Sequence, residues 1–136
     1  MEIEIVRPEE IEKRSFAIIS EELKAKGITL PEEQEAVTKR CIHTSVDFDY
    51  ARNLVFSKDA VEKAKKAIRE GASIVTDTQM ARSGINKKAL EYFGGRVYCF
   101  MSDADVAEAA KRAGTTLAVA SMEKACTLEE NLIFAI

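Results

Sequence analysis

The chain's single histidine, His43, stands in the run Arg40-Cys41-Ile42-His43-Thr44-Ser45-Val46-Asp47. With an ordinary pKa of about 6.5, an imidazole can give or take a proton close to neutral pH. Three uses are open to it: acid or base, metal ligand beside Cys41, or structural cap of a helix end. Two residues apart at a helix end, Cys41 and His43 face different ways, which argues against a shared metal and against a Cys–His catalytic pair. One histidine cannot build a His-rich zinc site, and neither H-E-x-x-H nor C-x-x-C occurs. Cys41, Cys99 and Cys126 are odd in number and far apart, the pattern of reduced thiols. Neither a P-loop nor G-x-G-x-x-G is present. His43 therefore remains either a proton donor or acceptor, or a packing and capping residue. The polar neighbours Thr44, Ser45 and Asp47 are placed to fix its tautomer.

The elements that must position this residue belong to a globular chain. Its 136 residues are 46% hydrophobic and 32% charged, with a net charge of -3. These values fit one domain over residues 1–136 and argue against a general nucleic-acid binder. The longest uncharged stretch, Ala113 to Met122, is far too short for a bilayer, and MEIEIVRPEE is acidic without an apolar leader core. A cytoplasmic protein with no membrane partner is expected.

Pro8, Glu9 and Glu10 open a helix carrying Ile11, Phe16, Ile18, Ile19 and Leu23, which Gly27 stops. Thr29, Leu30 and Pro31 open a second, which leads through Ala36, Val37 and Cys41 to His43. Leu54-Val55-Phe56 reads as extended. Ser57 is the expected cap of a helix with Val61, Ala64, Ala67 and Ile68 on one face and a solvated, charged other face, ending at Gly71. Beyond it, strands at Ser73–Thr76, Val97–Met101 and Leu132–Ile136 alternate with helices. Those helices run through Met80 to Gly84, from Asn86 through Tyr92, from Ala104 to Ala113 behind Asp103 as cap, and from about Ala118 to Leu128. Apolar strands alternating with helices predict an α/β domain: a three-layer, doubly wound, mainly parallel sheet. Ligands of such sheets gather outside the strands' carboxyl ends, which singles out Asp77, Ser102 and Asp103. Asp77 reads equally as the N-cap of the following helix.

The segments IEKRSFAIISEEL (Ile11 to Leu23), RCIHTSVDFDYARNLVFS (Arg40 to Ser57) and AIREGASIVTDTQMARSGIN (Ala67 to Asn86) resemble the precorrin-8X methylmutase family, which includes the cobalt-precorrin-8 methylmutases. The likeness continues through VYCFMSDADVA and ASMEKA and covers essentially the whole chain. The resemblance implies a flavodoxin-like fold and a homodimer with active sites near the subunit interface. It implies an isomerase that moves a methyl group from C11 to C12 of a tetrapyrrole, precorrin-8X or cobalt-precorrin-8, in vitamin B12 biosynthesis. His43 falls on the family's histidine, a general acid toward a ring nitrogen. An intramolecular shift needs no nucleophile and no protein-held metal or redox cofactor; cobalt, if present, is carried by the substrate. Arg14 and Ser15 of the R-S-F motif are the first substrate-binding candidates, followed by Thr76, Asp77 and Met80, then Arg82 and Gly84. For Arg14 an exposed helix charge, and for Ser15 a helix-packing hydroxyl, are the structural alternatives.

Two departures from the family pattern stand out. Leu117 occupies a position where an arginine is expected. Family members continue beyond the position of Ile136, so the chain reads as lacking the family's C-terminal part. Both features also fit a non-catalytic tetrapyrrole-binding or carrier protein.

Overall fold

A computed structural model of the chain describes residues 7–136, without the side chains of Pro8 and Glu9. The acidic start read above (residues 1–6) and the dipole contribution of Glu9 lie outside the described residues. The chain forms two compact units, divided between Val61 and Glu62.

In the first unit, α1 (Pro8–Ala25) starts with proline in its first turn, where the missing N–H costs nothing. It ends in a Schellman motif: Gly27 at φ +67° lets its own N–H reach the Lys24 carbonyl and the Ile28 N–H reach that of Leu23. Ile28 thereby packs back against Leu23 in a core of Ile19, Leu23 and Ile42, joined by Leu30, Phe48 and Ala51. Helix α2 (Glu32–Ser45) has Glu32, Glu33 and Glu35 at the positive end of its dipole and His43 in its last turn. It is closed by Val46 at φ 59°, ψ 18°, whose N–H bonds Ile42 O at 2.7 Å. A β-branched residue in the left-handed region is strained. A short α3 (Tyr50–Asn53) follows.

Helix α4 (Ala60–Arg69) leads into the second unit. Ser57 does not cap it: the helix starts three residues later, after a turn in which Ala60 N–H bonds Ser57 O and Asp59 takes φ 58°. The unit then runs β1 (Ser73–Thr76), α5 (Gln79–Gly84), α6 (Lys87–Tyr92), β2 (Val97–Tyr98), α7 (Ala104–Ala113), α8 (Leu117–Ala125) and β3 (Leu132–Ala135). All three strands are parallel in the order β2-β1-β3, with Ile74 opposite Val97 and Thr76 opposite Ala135. Central β1 buries Ser73, Val75 and Thr76 completely. The α/β fold and parallel sheet expected from the alternating pattern are present.

Strand β2 is shorter than the predicted Val97–Met101. Phe100 leaves the ladder to pack on the α7/α8 cluster of Val106, Ala110 and Ala120, while its ring stacks on Tyr98. Gly95 is required just before β2, since a Cβ there would strike the Ala72 carbonyl and the Leu90 side chain. Asp103 occupies the N-cap position of α7 but makes no side-chain cap bond; its carboxylate accepts from Lys124 Nζ at 2.7 Å instead. The connection from β1 moves to β2 on one side, and the next returns past β1 to β3 on the other. Parallel connections are right-handed almost without exception, and under that rule α5 with α6 and α7 with α8 belong to opposite faces of the sheet. The switch in winding direction lies between β1 and β3, and their carboxyl ends lead to Asp77 and Ile136.

Candidate active site

His43 is half-buried in the last turn of α2, and its Nδ1 shares a hydrogen bond of 2.7 Å with Ser15 Oγ of α1. The serine, not the polar run after the histidine, holds the ring. Thr44 Oγ1 donates to the carbonyls of Arg40 and Cys41, Ser45 Oγ donates to Cys41 O, and Asp47 Oδ1 accepts from Asp49 N–H. Hydroxyls near a helix end bond the carbonyls one turn back, so these side chains are spent on the backbone. With Nδ1 engaged, Nε2 is the nitrogen left to exchange a proton with a ligand.

Sequence reasoning missed a second layer around the imidazole. Phe16 meets the His43 ring edge-on, with centroids 5.8 Å apart and planes at 71°. The Arg40 guanidinium lies 5.4 Å from the Phe16 centroid and is itself paired with Glu12. The signal was in the spacing: Arg40 and His43 are i,i+3 on α2, while Glu12, Ser15 and Phe16 share one face of α1. Arg14 is exposed on α1 beside this group.

The remaining candidates gather in the other unit, at the carboxyl end of β1. Thr76 lies beneath the surface, and its hydroxyl donates to the carbonyls of Thr78 and Tyr98. It braces the turn that carries Asp77. The N-cap of α5 is Thr78, whose Oγ1 accepts from Ala81 N–H at 3.1 Å, so the capping alternative for Asp77 does not hold. Asp77 instead lines a cleft of about 540 Å³ with Ala118, Val119, Met122, Glu123, Cys126 and Ile136. Met80 is 84% exposed on α5, Arg82 reaches Gln79 Oε1 at 3.4 Å, and Gly84 ends the helix in open space. This is the position outside the sheet's switch point where doubly wound folds bind ligands. A smaller depression of about 270 Å³ in the first unit, lined by Ser20, Leu23, Gly27, Leu30 and Lys39 among others, does not include Ser15 or His43.

A sequence model of the precorrin-8X methylmutase family matches residues 10–136. The chain belongs to this family. It is 44% identical over 131 residues to the cobalt-precorrin-8 methylmutase of Priestia megaterium, covering 96% of this chain and 57% of that relative. The Salmonella typhimurium cobalt-precorrin-8 methylmutase is 42% identical, with 93% of this chain and 61% of the relative covered. Among solved structures, the precorrin-8x methyl mutase from Thermus thermophilus superposes with a TM-score of 0.72 at 34% identity, over 85% of this chain and 54% of that one. The chain thus spans about three-fifths of the length of these curated family members.

Proposed function

We propose that this chain carries the catalytic histidine of a methylmutase acting on precorrin-8X or cobalt-precorrin-8, moving a methyl group from C11 to C12. The observation behind this reading is the Ser15–His43 hydrogen bond, formed within a family match that includes both residues. The shift is intramolecular and its product an isomer, so any proton lent to a ring nitrogen must be taken back. An imidazole suits that exchange because neither direction is strongly uphill near neutral pH. Nε2 donates the proton, while Nδ1–H donates to Ser15 Oγ and steadies the charged ring. A hydroxyl both donates and accepts, so the bond survives either charge state.

Arg14 and Arg82 supply cations for the substrate's acetate and propionate arms. Asp77, Met80 and Gly84 contact the macrocycle at the end of β1, with Thr76 supporting them from below. The reaction calls for no redox cofactor or protein-held metal, cobalt being part of the substrate. The working form in this reading is a cytoplasmic homodimer.

Leu117 favours a second reading. It sits 41% exposed at the first position of α8, an apolar residue where a cation would help hold a polyanion. A tetrapyrrole carrier without catalysis would tolerate that change. Incubation with cobalt-precorrin-8, followed by visible spectroscopy, separates the two. Conversion to cobyrinate by the wild type and its loss in His43→Ala are expected. Conversion that persists in His43→Ala removes the histidine from the mechanism, and binding without conversion by the wild type establishes the carrier.

A further inference from the structure

We infer that Phe16 and Arg40 are positioning residues for His43, acting as a clamp that fixes the plane of its imidazole. The inference deepens the proposed function and rests on it for the activity readout alone. Ser15 bonds one atom of the ring, Nδ1. A single hydrogen bond leaves the imidazole free to tilt about it, because χ2 of histidine is a broad, soft torsion. The edge-on contact with Phe16 removes that freedom by blocking one side of the ring.

Phe16 could serve this purpose only if its own ring were held. It is half-buried, and one contact that holds it comes from Arg40, whose guanidinium sits 5.4 Å from the ring centroid. Arg40 is in turn tied to Glu12 by an ion pair whose two side chains are 59% and 51% exposed. An exposed pair of this kind adds little to stability. Its effect here is directional: it sets where the guanidinium lies, and so the orientation of Phe16 against His43. Glu12 and Phe16 are i,i+4 on α1, and Arg40 and His43 are i,i+3 on α2, so both helices present the chain of contacts from one row each. The order Glu12, Arg40, Phe16, His43 runs from solvent to the reacting group. Proton delivery to a fixed substrate atom depends on the direction of Nε2 as well as its acidity, which gives the clamp a catalytic consequence.

The experiment uses His43 as its own reporter, since the chain contains one histidine. With histidine labelled in its ring, the substrate-free protein should show one imidazole with a single dominant tautomer and a rigid ring vector. Phe16→Leu and Arg40→Met should each lower the ring order parameter and mix the tautomers, and Arg40→Lys should restore part of the order. Turnover should fall in kcat with KM nearly constant, about tenfold for Phe16→Leu. Arg40→Met should cost about two- to fivefold, the factor matching one exposed cation–π contact. Arg40 is exposed, so its replacement leaves the fold intact and the test readable. An imidazole as ordered and as uniform in tautomer in Arg40→Met and Phe16→Leu as in the wild type overturns the clamp. Full activity in His43→Ala would instead overturn the acid role, leaving the ring measurements to stand on their own.

Discussion

At Ser15 one hydroxyl decides which nitrogen of His43 is available to a ligand. Replacing it with alanine leaves Nδ1 without its partner and costs a hydrogen bond of about 1 to 1.5 kcal/mol. With His43 as the proposed acid, Ser15→Ala is expected to lower kcat about tenfold, and the lost bond should lower the unfolding midpoint by a few degrees while circular dichroism stays unchanged. His43 was singled out in the sequence as the one imidazole, and by the R-S-F and I-H motifs around it. Its partner was not, on physical grounds. Twenty-eight positions separate Ser15 from His43, and no local spacing rule connects two helices across a loop. The adjacent Thr44 and Ser45 looked better placed, yet a hydroxyl in the last turn of a helix finds a carbonyl behind it sooner than a ring beside it. Asp77 shows the converse. Its position at the end of an apolar strand marked it from the sequence, and the cap that would have occupied it is provided by Thr78.

Among the elements, one carboxylate ties the three strands together. Glu130, just ahead of β3, accepts from Ser73 Oγ of β1 and from Tyr98 OH of β2, the latter at 2.8 Å. The bond from Ser73 is the leading cause that lowers the Glu130 pKa, followed by that from Tyr98, with the Arg96 charge adding to them. A carboxylate depressed in the fold contributes its full stabilisation above the unfolded value of about 4.3 and loses it as pH falls through the folded value. Tyr98 is raised by its bond to Glu130, so its contribution is complete below about pH 10 and is lost as pH rises through the folded value. The urea midpoint should accordingly fall on acidification below about pH 4.3, and Glu130→Gln should flatten that fall. Such a tie between distant residues is invisible to periodicity, whereas the elements themselves were largely legible. Gly27, Gly71 and Gly114 mark turns at positive φ, and Asn86 caps α6 as its sequence suggests. The misreadings occurred where a side chain had a stronger partner elsewhere: Asp103 turns to Lys124, and Phe100 leaves β2 for the helices. Val46 is a different case, because nothing in a valine announces a left-handed helix end.

For the molecule as a whole, the family match runs from residue 10 to residue 136, yet covers about three-fifths of the first curated relatives. The order β2-β1-β3 leaves β3 at a border of the sheet among the described residues. Leu132 and Ile133 are partly covered, while Phe134 is 42% and Ile136 84% exposed. A strand with one row of N–H and C=O groups open and oily side chains beside it behaves as an adhesive strip. Solutions of the 136-residue chain should therefore scatter more light as they are concentrated, through strand-to-strand stacking of identical copies. Phe134→Lys, which puts a charge on that border, should suppress the scattering without altering the Ser15–His43 bond. The sheet that organises the cleft thus also sets the concentration at which this chain can be handled.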